Sequence, residues 1–385
     1  MISTEKKSIN REEKKIIIHA IHEAISQGHS FTLWKAPGID KKHLIISTSG
    51  IKKLAEVSLE DSEPGFVFSP FYPDRKKIFF PADDLFIFET GLLIDGTVNP
   101  EWDSEEKEIS YSHYLPLMDN STAPDFQKLV ERGVASIDSG NLEKIVPARF
   151  KDITRSKNFD LLDVFNQLCE KHPLALVSLV SSPETGTWVG ATPELLASVV
   201  QNKFRTVALA GTLPYTPDIN LKYVAWTQKE IEEQALVCRY IINCFKKIRL
   251  REYEEHGPKT IVAGNLLHLK TEYEVDMAAT NFPQLGSVML KLLHPTSAVC
   301  GMPLENSLAF LKEHEGFDRQ FYSGYLGPVN LKEESHIYVN LRCMQIFEDK
   351  VRIYAGAGVT ADSVSETEWM ETEMKMLTLQ NIITQ

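Results

Sequence analysis

The chain has 385 residues, of which 43% are hydrophobic and 24% charged, and its formal net charge is −12. These proportions are ordinary for a globular protein with one large domain or two smaller ones. A charge of −12 argues against a nucleic-acid-binding protein, because contacts with phosphates need a basic surface. It does not argue against a small anionic substrate, since the local electrostatic field matters more than the total charge.

The sequence also predicts where the protein resides. None of the five cysteines forms a CxxC pair, and reduced thiols are the simplest interpretation. The opening residues, MISTEKKSINREEKK, lack the apolar region of a signal peptide. No apolar run approaches the roughly 18 residues of a membrane-spanning helix. We therefore expect a cytoplasmic protein with no membrane partner.

The first third of the chain is predicted to form one helix followed by strands. Apolar residues recur at helical spacing between Ile9 and Gln27, and Gly28 ends the pattern. Turn residues then separate six strand-like segments, namely FTLWKAP, HLIIST, GFVFSPF, KIFFP, LFIFET and GLLIDG. The segment Ser104–Asp119 is predicted to link this lobe, residues 1–120, to residues 121–385.

From Asp125 onward, helices and strands alternate irregularly. The predicted helices are 126–140, Leu161–Lys171 and the long segment Asp218–Arg249. The predicted strands are Lys144–Phe150, Leu174–Val180, Thr187–Gly190, a hairpin over Ser198–Leu209, His336–Phe347 and Lys350–Gly356. Because strands do not alternate one-to-one with helices, an α+β fold with antiparallel sheets fits better than a doubly wound sheet.

The segment near the carboxyl end carries the strongest functional signal. In EWMETEMK, Glu368, Glu371 and Lys375 fall at positions i, i+3 and i+7, which share one face of a helix. Two acids on one turn repel unless a cation lies between them or their pKa values differ. The glycines of YAGAG let the backbone approach a ligand closely. Together these features predict a site for a divalent metal and an anionic substrate.

Two further residues have a catalytic and an ordinary interpretation. Lys144 lies in the apolar segment EKIVPARF, where desolvation in a cleft would favour a neutral amine able to act as a base. The alternative is an exposed lysine at the start of a strand. Glu194 in GATPELL would be a proton donor if buried, or an acid at a helix amino terminus after Thr192–Pro193.

Several polar residues also keep two interpretations. Only one of the neighbours Glu232 and Glu233 can face a site, and both could lie on a solvated helix face. Arg342 inside a strand would bind a substrate carboxylate or form a structural salt bridge. The remaining candidates have either a ligand-binding or an ordinary structural role: the Gly211 amide, the Thr212 hydroxyl and the histidines His268 and His294.

The motifs together, in their order along the chain, resemble those of one enzyme family. HPTSAVCGMP, FDRQFYSGYLGP, NLRCM, YAGAGV and EWMETEMK are similar to segments of the chorismate-utilising enzymes, which include isochorismate, salicylate, anthranilate and aminodeoxychorismate synthases. The resemblance covers roughly residues 124–379. It implies a single large chorismate-binding domain of two sub-domains, with antiparallel sheets flanked by helices, an active site in the cleft between them and a required Mg²⁺. Residues 1–120 would be a variable amino-terminal lobe, part of the same fold.

The resemblance also assigns the two catalytic roles. Lys144 falls where isochorismate and salicylate synthases have a water-activating lysine, whereas amine-transferring members have glutamine there. Ala210 falls where aminodeoxychorismate synthases have a nucleophilic lysine. We therefore expect no glutamine amidotransferase subunit. Glu194 falls on the general acid.

The remaining roles follow from the same resemblance. Glu233 and Glu371 fall on the magnesium ligands, and Glu368 and His268 are expected to support the site. The positions that contact the substrate chorismate are Gly211, Thr212, Ala298, Arg342, Gly356 and Lys375. Gln234 departs from the family, where many members have histidine.

The resemblance favours isochorismate as the product. Salicylate synthases usually lack the His294–Gly301 segment in the form found here. We therefore expect a monomeric, Mg²⁺-dependent isochorismate synthase that serves menaquinone or siderophore synthesis. Salicylate synthase and a non-catalytic chorismate-binding protein are the alternatives. Retention of both Lys144 and Glu194 argues against the latter, because binding alone needs neither.

Overall fold

Two antiparallel nine-stranded sheets form the framework of the protein. The computed structural model describes residues 2–96, 120–156, 158–216, 218–263 and 266–383, with side chains from residue 13 onward. Helices cover the outer faces of both sheets, which confirms the predicted α+β class. Within these ranges, no helix is long and apolar enough to cross a membrane.

Many strands were predicted, although their ends differ, but β3, β14, β15, β16 and β17 were not, and the predicted strand Lys144–Phe150 is divided into β8 and β9. They are β1 (Ser30–Lys35), β2 (Lys41–Ser47), β3 (Lys52–Leu54), β4 (Gly65–Ser69), β5 (Lys77–Pro81), β6 (Asp84–Glu89), β7 (Leu92–Asp95), β8 (Lys144–Ile145), β9 (Ala148–Thr154), β10 (Leu176–Ser182), β11 (Gly186–Thr192), β12 (Leu195–Val200), β13 (Lys203–Pro214), β14 (Glu254–Ala263), β15 (Leu266–Asp276), β16 (Gly301–Met302), β17 (Tyr325–Val329), β18 (Ser335–Val339), β19 (Cys343–Ile346) and β20 (Lys350–Gly356). The first sheet has the order β7-β6-β2-β1-β10-β11-β19-β20-β9. The second has the order β14-β15-β13-β12-β18-β17-β4-β5-β3, and β16 pairs with β8 apart from both.

The helices pack on the outer faces of the sheets. They are α1 (Ile2–Ser26), α2 (Ala123–Asp138), α3 (Leu161–Lys171), α4 (Gln228–Lys247), α5 (Leu285–Leu293), α6 (Leu304–His314) and α7 (Ser365–Ile383). Apolar residues of α1, α3 and α7 pack with the outer face of the first sheet, whereas those of α2, α4, α5 and α6 pack with the second. Aromatic residues such as Trp34, Phe68, Trp188 and Tyr354 fill the space between the sheets. The layers are therefore helix, sheet, sheet, helix.

The strands before residue 97 belong to both sheets. Strand β1 pairs with β10, where Phe31 lies opposite Ser181, and β4 pairs with β17, where Phe68 lies opposite Leu326. This region therefore contributes backbone hydrogen bonds to each sheet. The predicted link Ser104–Asp119 lies outside the described residues.

The prediction of one helix over Asp218–Arg249 was wrong at its start. Helix α4 begins only at Gln228, and a short 3-10 turn at Leu221–Tyr223 precedes it. Thr227 and Glu230 form a capping box, in which the Thr227 backbone N–H donates to Glu230 Oε2 at 3.1 Å. This local hydrogen bonding fixes the helix start, which apolar spacing alone does not reveal.

The predicted strand His336–Phe347 is in fact two strands. Strand β18 lies in the second sheet and β19 in the first, so the chain crosses between the sheets over residues 340–342. Arg342 has a φ of 47° at this crossing, which interrupts the extended backbone. The chain makes a similar crossing between β11 and β12, at residues 193–194.

A fully buried ion pair, Arg319 with Glu315, binds backbone groups of other segments of the chain. Arg319 donates to Glu315 from Nε at 2.7 Å and from Nη2 at 2.5 Å, and the two side chains are 1% and 0% exposed. Arg319 also donates to the carbonyls of Val299 and Val146, at 2.8 and 2.7 Å. Glu315 accepts from the Ala148 backbone N–H at 2.7 Å. The pair therefore satisfies backbone groups of two segments distant in sequence.

We expect Arg319→Met to lower the free energy of unfolding by about 3–5 kcal/mol, because it leaves Glu315 buried without an opposite charge. Arg75→Met is the matched control, since Arg75 forms an exposed ion pair with Asp318 at 2.7 Å. Such a pair contributes about 0–1 kcal/mol. Urea denaturation measures both changes, and equal small losses would contradict the assigned role of the buried pair.

Candidate active site

One cavity gathers most of the candidate residues at the place where the chain crosses between the sheets. Its lining includes Glu194, Gly211, Thr212, Glu233, His268, Ala298, Arg342, Gly356 and Lys375. Lys144 and Glu371 reach this group through ion pairs with Glu233 and Lys375, and a further lysine links Glu368 to Glu371. The structure thus brings together residues that lie up to 231 positions apart in the sequence, from Lys144 to Lys375.

Lys144 is fully buried at the start of β8, so the interpretation as an exposed lysine was wrong. Its Nζ donates to Glu233 Oε1 at 2.8 Å. A Cβ at Gly358 would collide with the same Glu233 carboxylate and approach Lys144 Cε at 3.3 Å. The second glycine of YAGAG therefore leaves room for this ion pair, as the motif predicted for a close backbone approach.

Glu194 lies between β11 and β12 and not in a helix, so the interpretation as a helix-terminal acid was wrong. Its backbone N–H donates to Thr192 Oγ1 at 3.4 Å, and its carbonyl accepts from Val339 N–H at 2.9 Å. The residue is 5% exposed. Burial raises the pKa of Glu194 to about 7, although Lys144 and other nearby cations oppose the shift. The carboxyl can therefore hold a proton near neutral pH.

The acidic face of α7 has the arrangement predicted from its spacing. Glu371 Oε1 lies 2.7 Å from Lys375 Nζ, and Lys375 also donates to the Gly356 carbonyl at 2.9 Å. Glu368 is 0% exposed, and its Oε2 has no hydrogen-bond partner among the described residues. Burial and then the charge of Glu371 raise the pKa of Glu368. The repulsion expected between the two acids is therefore present.

Sequence reasoning missed Lys229, which is a second lysine beside these acids, in addition to Lys375. Its Nζ lies 2.6 Å from Glu368 Oε1 and 4.0 Å from Glu371 Oε2. Lys229 precedes Glu233 by four residues on α4, so both lie on one helix face. That spacing was the available signal, but it does not indicate which distant acids the lysine meets.

A neutral histidine holds the cavity arginine. His268 Nδ1 lies 2.7 Å from the Gly211 carbonyl, and its Nε2 lies 3.2 Å from Arg342 Nη2. Because a guanidinium only donates, Nε2 must accept and Nδ1 must carry the proton that it donates to Gly211. Burial and then Arg342 lower the pKa of His268 to about 3, which agrees with this neutral form.

Arg342 has no carboxylate partner within 4.0 Å among the described side chains, so the structural salt bridge considered for it is not found there. Burial lowers the pKa of Arg342 to about 10, and the group therefore stays charged at neutral pH. A buried guanidinium without an acid partner suits the binding of a carboxylate from a ligand.

Two candidates serve the core and not the cavity. His294 is 6% exposed, and its Nε2 lies 3.1 Å from the Pro70 carbonyl. Gln234 is 3% exposed and donates from Nε2 to Thr271 Oγ1 at 3.1 Å and to the Ala208 carbonyl at 3.3 Å. Gln234 therefore anchors α4 on β13 and β15.

The acids near the cavity suit a hard cation such as Mg²⁺. Glu233, Glu368 and Glu371 offer only oxygen ligands, and one buried oxygen of Glu368 lacks a partner. No described set of three acidic, histidine or cysteine side chains is close enough to form a complete metal site. Mg²⁺ does not require one, because it usually keeps several waters and uses one or two carboxylates.

Comparisons with known proteins identify the family of the chain. Residues 97–384 match the family described as chorismate binding enzyme. The chain is 27% identical to the isochorismate synthase EntC of Escherichia coli K12 over 290 residues, which is 73% of each protein. It is 29% identical to the isochorismate synthase DhbC of Bacillus subtilis over 291 residues, which is 72% of each.

The fold comparison extends over nearly the whole chain. The crystal structure of DhbC from Bacillus anthracis superposes with a TM-score of 0.74 at 23% identity, covering 94% of this chain and 99% of that one. That likeness concerns the fold alone. The family match spans about three quarters of the sequence and includes every residue that reaches the cavity. The chain therefore belongs to the chorismate binding enzyme family.

Proposed function

We propose that this protein is an isochorismate synthase, which converts chorismate to isochorismate by adding water at C2 and releasing the C4 hydroxyl. The observation that carries the proposal is a buried amine, Lys144, that is ion-paired to Glu233 of the cavity lining, together with a buried carboxyl, Glu194, in the same lining. The reaction needs one group to take a proton and one to give a proton. The isochorismate synthases EntC and DhbC, with which the chain shares 27% and 29% identity, support the same reaction.

The cavity suits a substrate with two carboxylates. Arg342 is a buried cation without an acid partner among the described residues, and it would bind the carboxylate of the enolpyruvyl group. The backbone of Gly211 and the hydroxyl of Thr212 line the same space, and Gly211 is held by His268. These contacts would orient the ring between Lys144 and Glu194.

Lys144 would accept the proton of the attacking water. Its Nζ donates to Glu233 Oε1 at 2.8 Å in the structure, and the side chain is fully buried. A base must be neutral, so the amine has to lose a proton before water attacks. The hydrogen bond from Lys144 Nζ to Glu233 Oε1 is therefore the contact that has to change when the amine loses its proton.

Glu194 would donate the proton to the departing hydroxyl. Hydroxide is a poor leaving group, and protonation by a positioned acid contributes about 10²–10⁴-fold to the rate. The pKa of about 7 keeps a useful fraction of the carboxyl protonated at neutral pH. The proton taken from water and the proton given to the hydroxyl balance, so substrate and product have the same formula.

Glu233 and Glu371 would hold Mg²⁺, with Glu368 supporting them. The ion, when bound, would supply a positive charge that anchors the ring carboxylate and withdraws electrons from the ring. Burial would raise the pKa of Glu233, but Lys144 and Lys375 hold it below its ordinary value, so this carboxylate is charged and suited to a cation. The proposed reaction transfers no amine, so it needs no amidotransferase. We also propose that the protein is cytoplasmic.

The purified protein should convert chorismate to isochorismate with Mg²⁺ and without glutamine or ammonia. Lys144→Gln should abolish the conversion, because an amide still donates to Glu233 but cannot accept a proton from water. Chromatography of the products measures both results. Anthranilate, or salicylate with pyruvate, as the main product would contradict the proposal, and substrate binding without turnover would indicate a chorismate-binding protein.

Loss of either proposed metal ligand should weaken the response to Mg²⁺. We expect Glu233→Gln and Glu371→Gln to raise the Mg²⁺ concentration needed for half-maximal rate by more than about tenfold, since even groups behind metal ligands contribute 10–100-fold. Glu232→Gln is the control, because Glu232 is exposed beside Glu233 and pairs with Gln228. A Mg²⁺ titration of the rate that gave similar curves for all three variants would place the metal elsewhere.

The pH dependence should reveal Glu194 as an acid. Because the proton donor must be protonated, kcat/KM should fall about tenfold per pH unit above the pKa of about 7. Glu194→Gln should lower kcat by about 10²–10⁴-fold and remove this alkaline limb. The rate is measured between pH 5 and pH 9. An unchanged alkaline limb in the variant would assign the proton transfer to another group.

A further inference from the structure

Each of the three acids near the proposed metal position has its own lysine. The pairs are Glu233 with Lys144 at 2.8 Å, Glu371 with Lys375 at 2.7 Å and Glu368 with Lys229 at 2.6 Å. The site thus carries its own positive charges in the protein alone. Any divalent ion that binds there meets ammonium groups already close to the carboxylates.

Lys229 differs from the other two lysines because the proposed reaction gives it no task. Lys144 would act on water, and Lys375 lines the cavity and donates to Gly356. Lys229 is not part of the cavity lining, but its side chain is only 19% exposed. A lysine side chain is rarely buried to this extent unless it is paired, so its partners should explain its position.

The contacts of Lys229 join two helices. Lys229 lies in the first turn of α4, whereas Glu368 and Glu371 lie on α7, 139 and 142 positions later in the sequence. Its Nζ is 2.6 Å from Glu368 Oε1 and 4.0 Å from Glu371 Oε2. One ammonium group therefore lies within ion-pair distance of both acids that share a turn of α7.

Lys229, Glu368 and Glu371 take part in two repulsive interactions at this site. Glu368 and Glu371 repel each other, and burial of Glu368 strengthens the repulsion because little water screens it. Lys229 neutralises that repulsion. The same ammonium repels a divalent cation that approaches either carboxylate, since two positive charges about 4 Å apart in a partly buried site interact strongly.

We infer that Lys229 is a positioning residue that keeps the acidic face of α7 against α4 when no metal is bound and that it weakens the binding of a divalent cation. This inference rests on the metal site of the proposed function. The Lys229 ammonium acts as a counter-ion that the protein itself supplies. It keeps the site ordered but lowers the affinity for a divalent cation. The metal therefore binds by competing with a group that belongs to the protein.

The test compares Lys229→Met with the wild-type protein in the absence of substrate. Thermal unfolding in EDTA measures the metal-free protein, and electron paramagnetic resonance of free Mn²⁺ measures cation binding. We expect Lys229→Met to lower the Tm in EDTA and to bind Mn²⁺ about tenfold more tightly. A tenfold change needs only about 1.4 kcal/mol, less than the roughly 4 kcal/mol for two unit charges 4 Å apart near a protein surface.

Two control variants separate charge from other effects. Lys246→Met removes an exposed lysine from the end of the same helix and should change neither quantity. Lys229→Arg keeps the positive charge and should retain weak Mn²⁺ binding. If Lys229→Met does not fold, Lys229→Gln keeps a hydrogen-bond donor for Glu368 without the charge and carries the same comparison.

The outcomes distinguish this inference from the proposed function. Mn²⁺ binding in Lys229→Met that is equal to or weaker than in the wild type overturns the inference and leaves the metal site in place. Absence of Mn²⁺ binding in both the wild type and Lys229→Met overturns the inference together with the proposed metal site. Conversion of chorismate by the wild type tests the enzyme activity separately from both results.

Discussion

Burial of charge between two sheets is the constraint on which the active site depends. An isolated charge in such a place costs several kcal/mol, so each one needs an opposite charge or a hydrogen-bonding partner. The structure meets this requirement with ion pairs between segments far apart in sequence, such as Lys144 with Glu233 and Lys229 with Glu368. These pairs join α4 to β8 and to α7. Lys144, the proposed base, is therefore held in place by the same ion pair that compensates its buried charge.

The predictions from the sequence succeeded where a local pattern carried the information. Alternating apolar residues revealed many of the strands, including the hairpin of β12 and β13, whose register pairs Ser198 with Arg205. The spacing of Glu368, Glu371 and Lys375 placed them on one helix face, as the structure has them. The start of α4 was predicted ten residues too early because hydrogen bonding at Thr227 decided it, and apolar spacing does not report a cap.

The parts that the sequence could not reveal depend on contacts between distant segments. In the sequence, Lys229 is an ordinary residue of a polar helix face. Only the packing of α7 against α4 brings two acids beside it. Glu194 resembled a helix-terminal acid because the motif does not report that the chain changes sheets there, with β11 in one sheet and β12 in the other. Long-range packing, and not local propensity, determines the burial of both residues. Burial in turn decides their chemistry, since the pKa of a carboxyl depends on its solvation.

The charges around the cavity indicate what kind of ligand completes it. Three acids are balanced by three lysines, and Glu194, whose pKa is about 7, is largely uncharged below neutral pH. Arg342 is held by neutral His268 and faces no acid within ion-pair distance among the described residues. The protein alone therefore leaves a positive charge at the cavity, and a divalent ion would increase it. A dianion such as chorismate supplies the opposite charges, which explains how an acidic protein with a net charge of −12 can bind an acidic substrate.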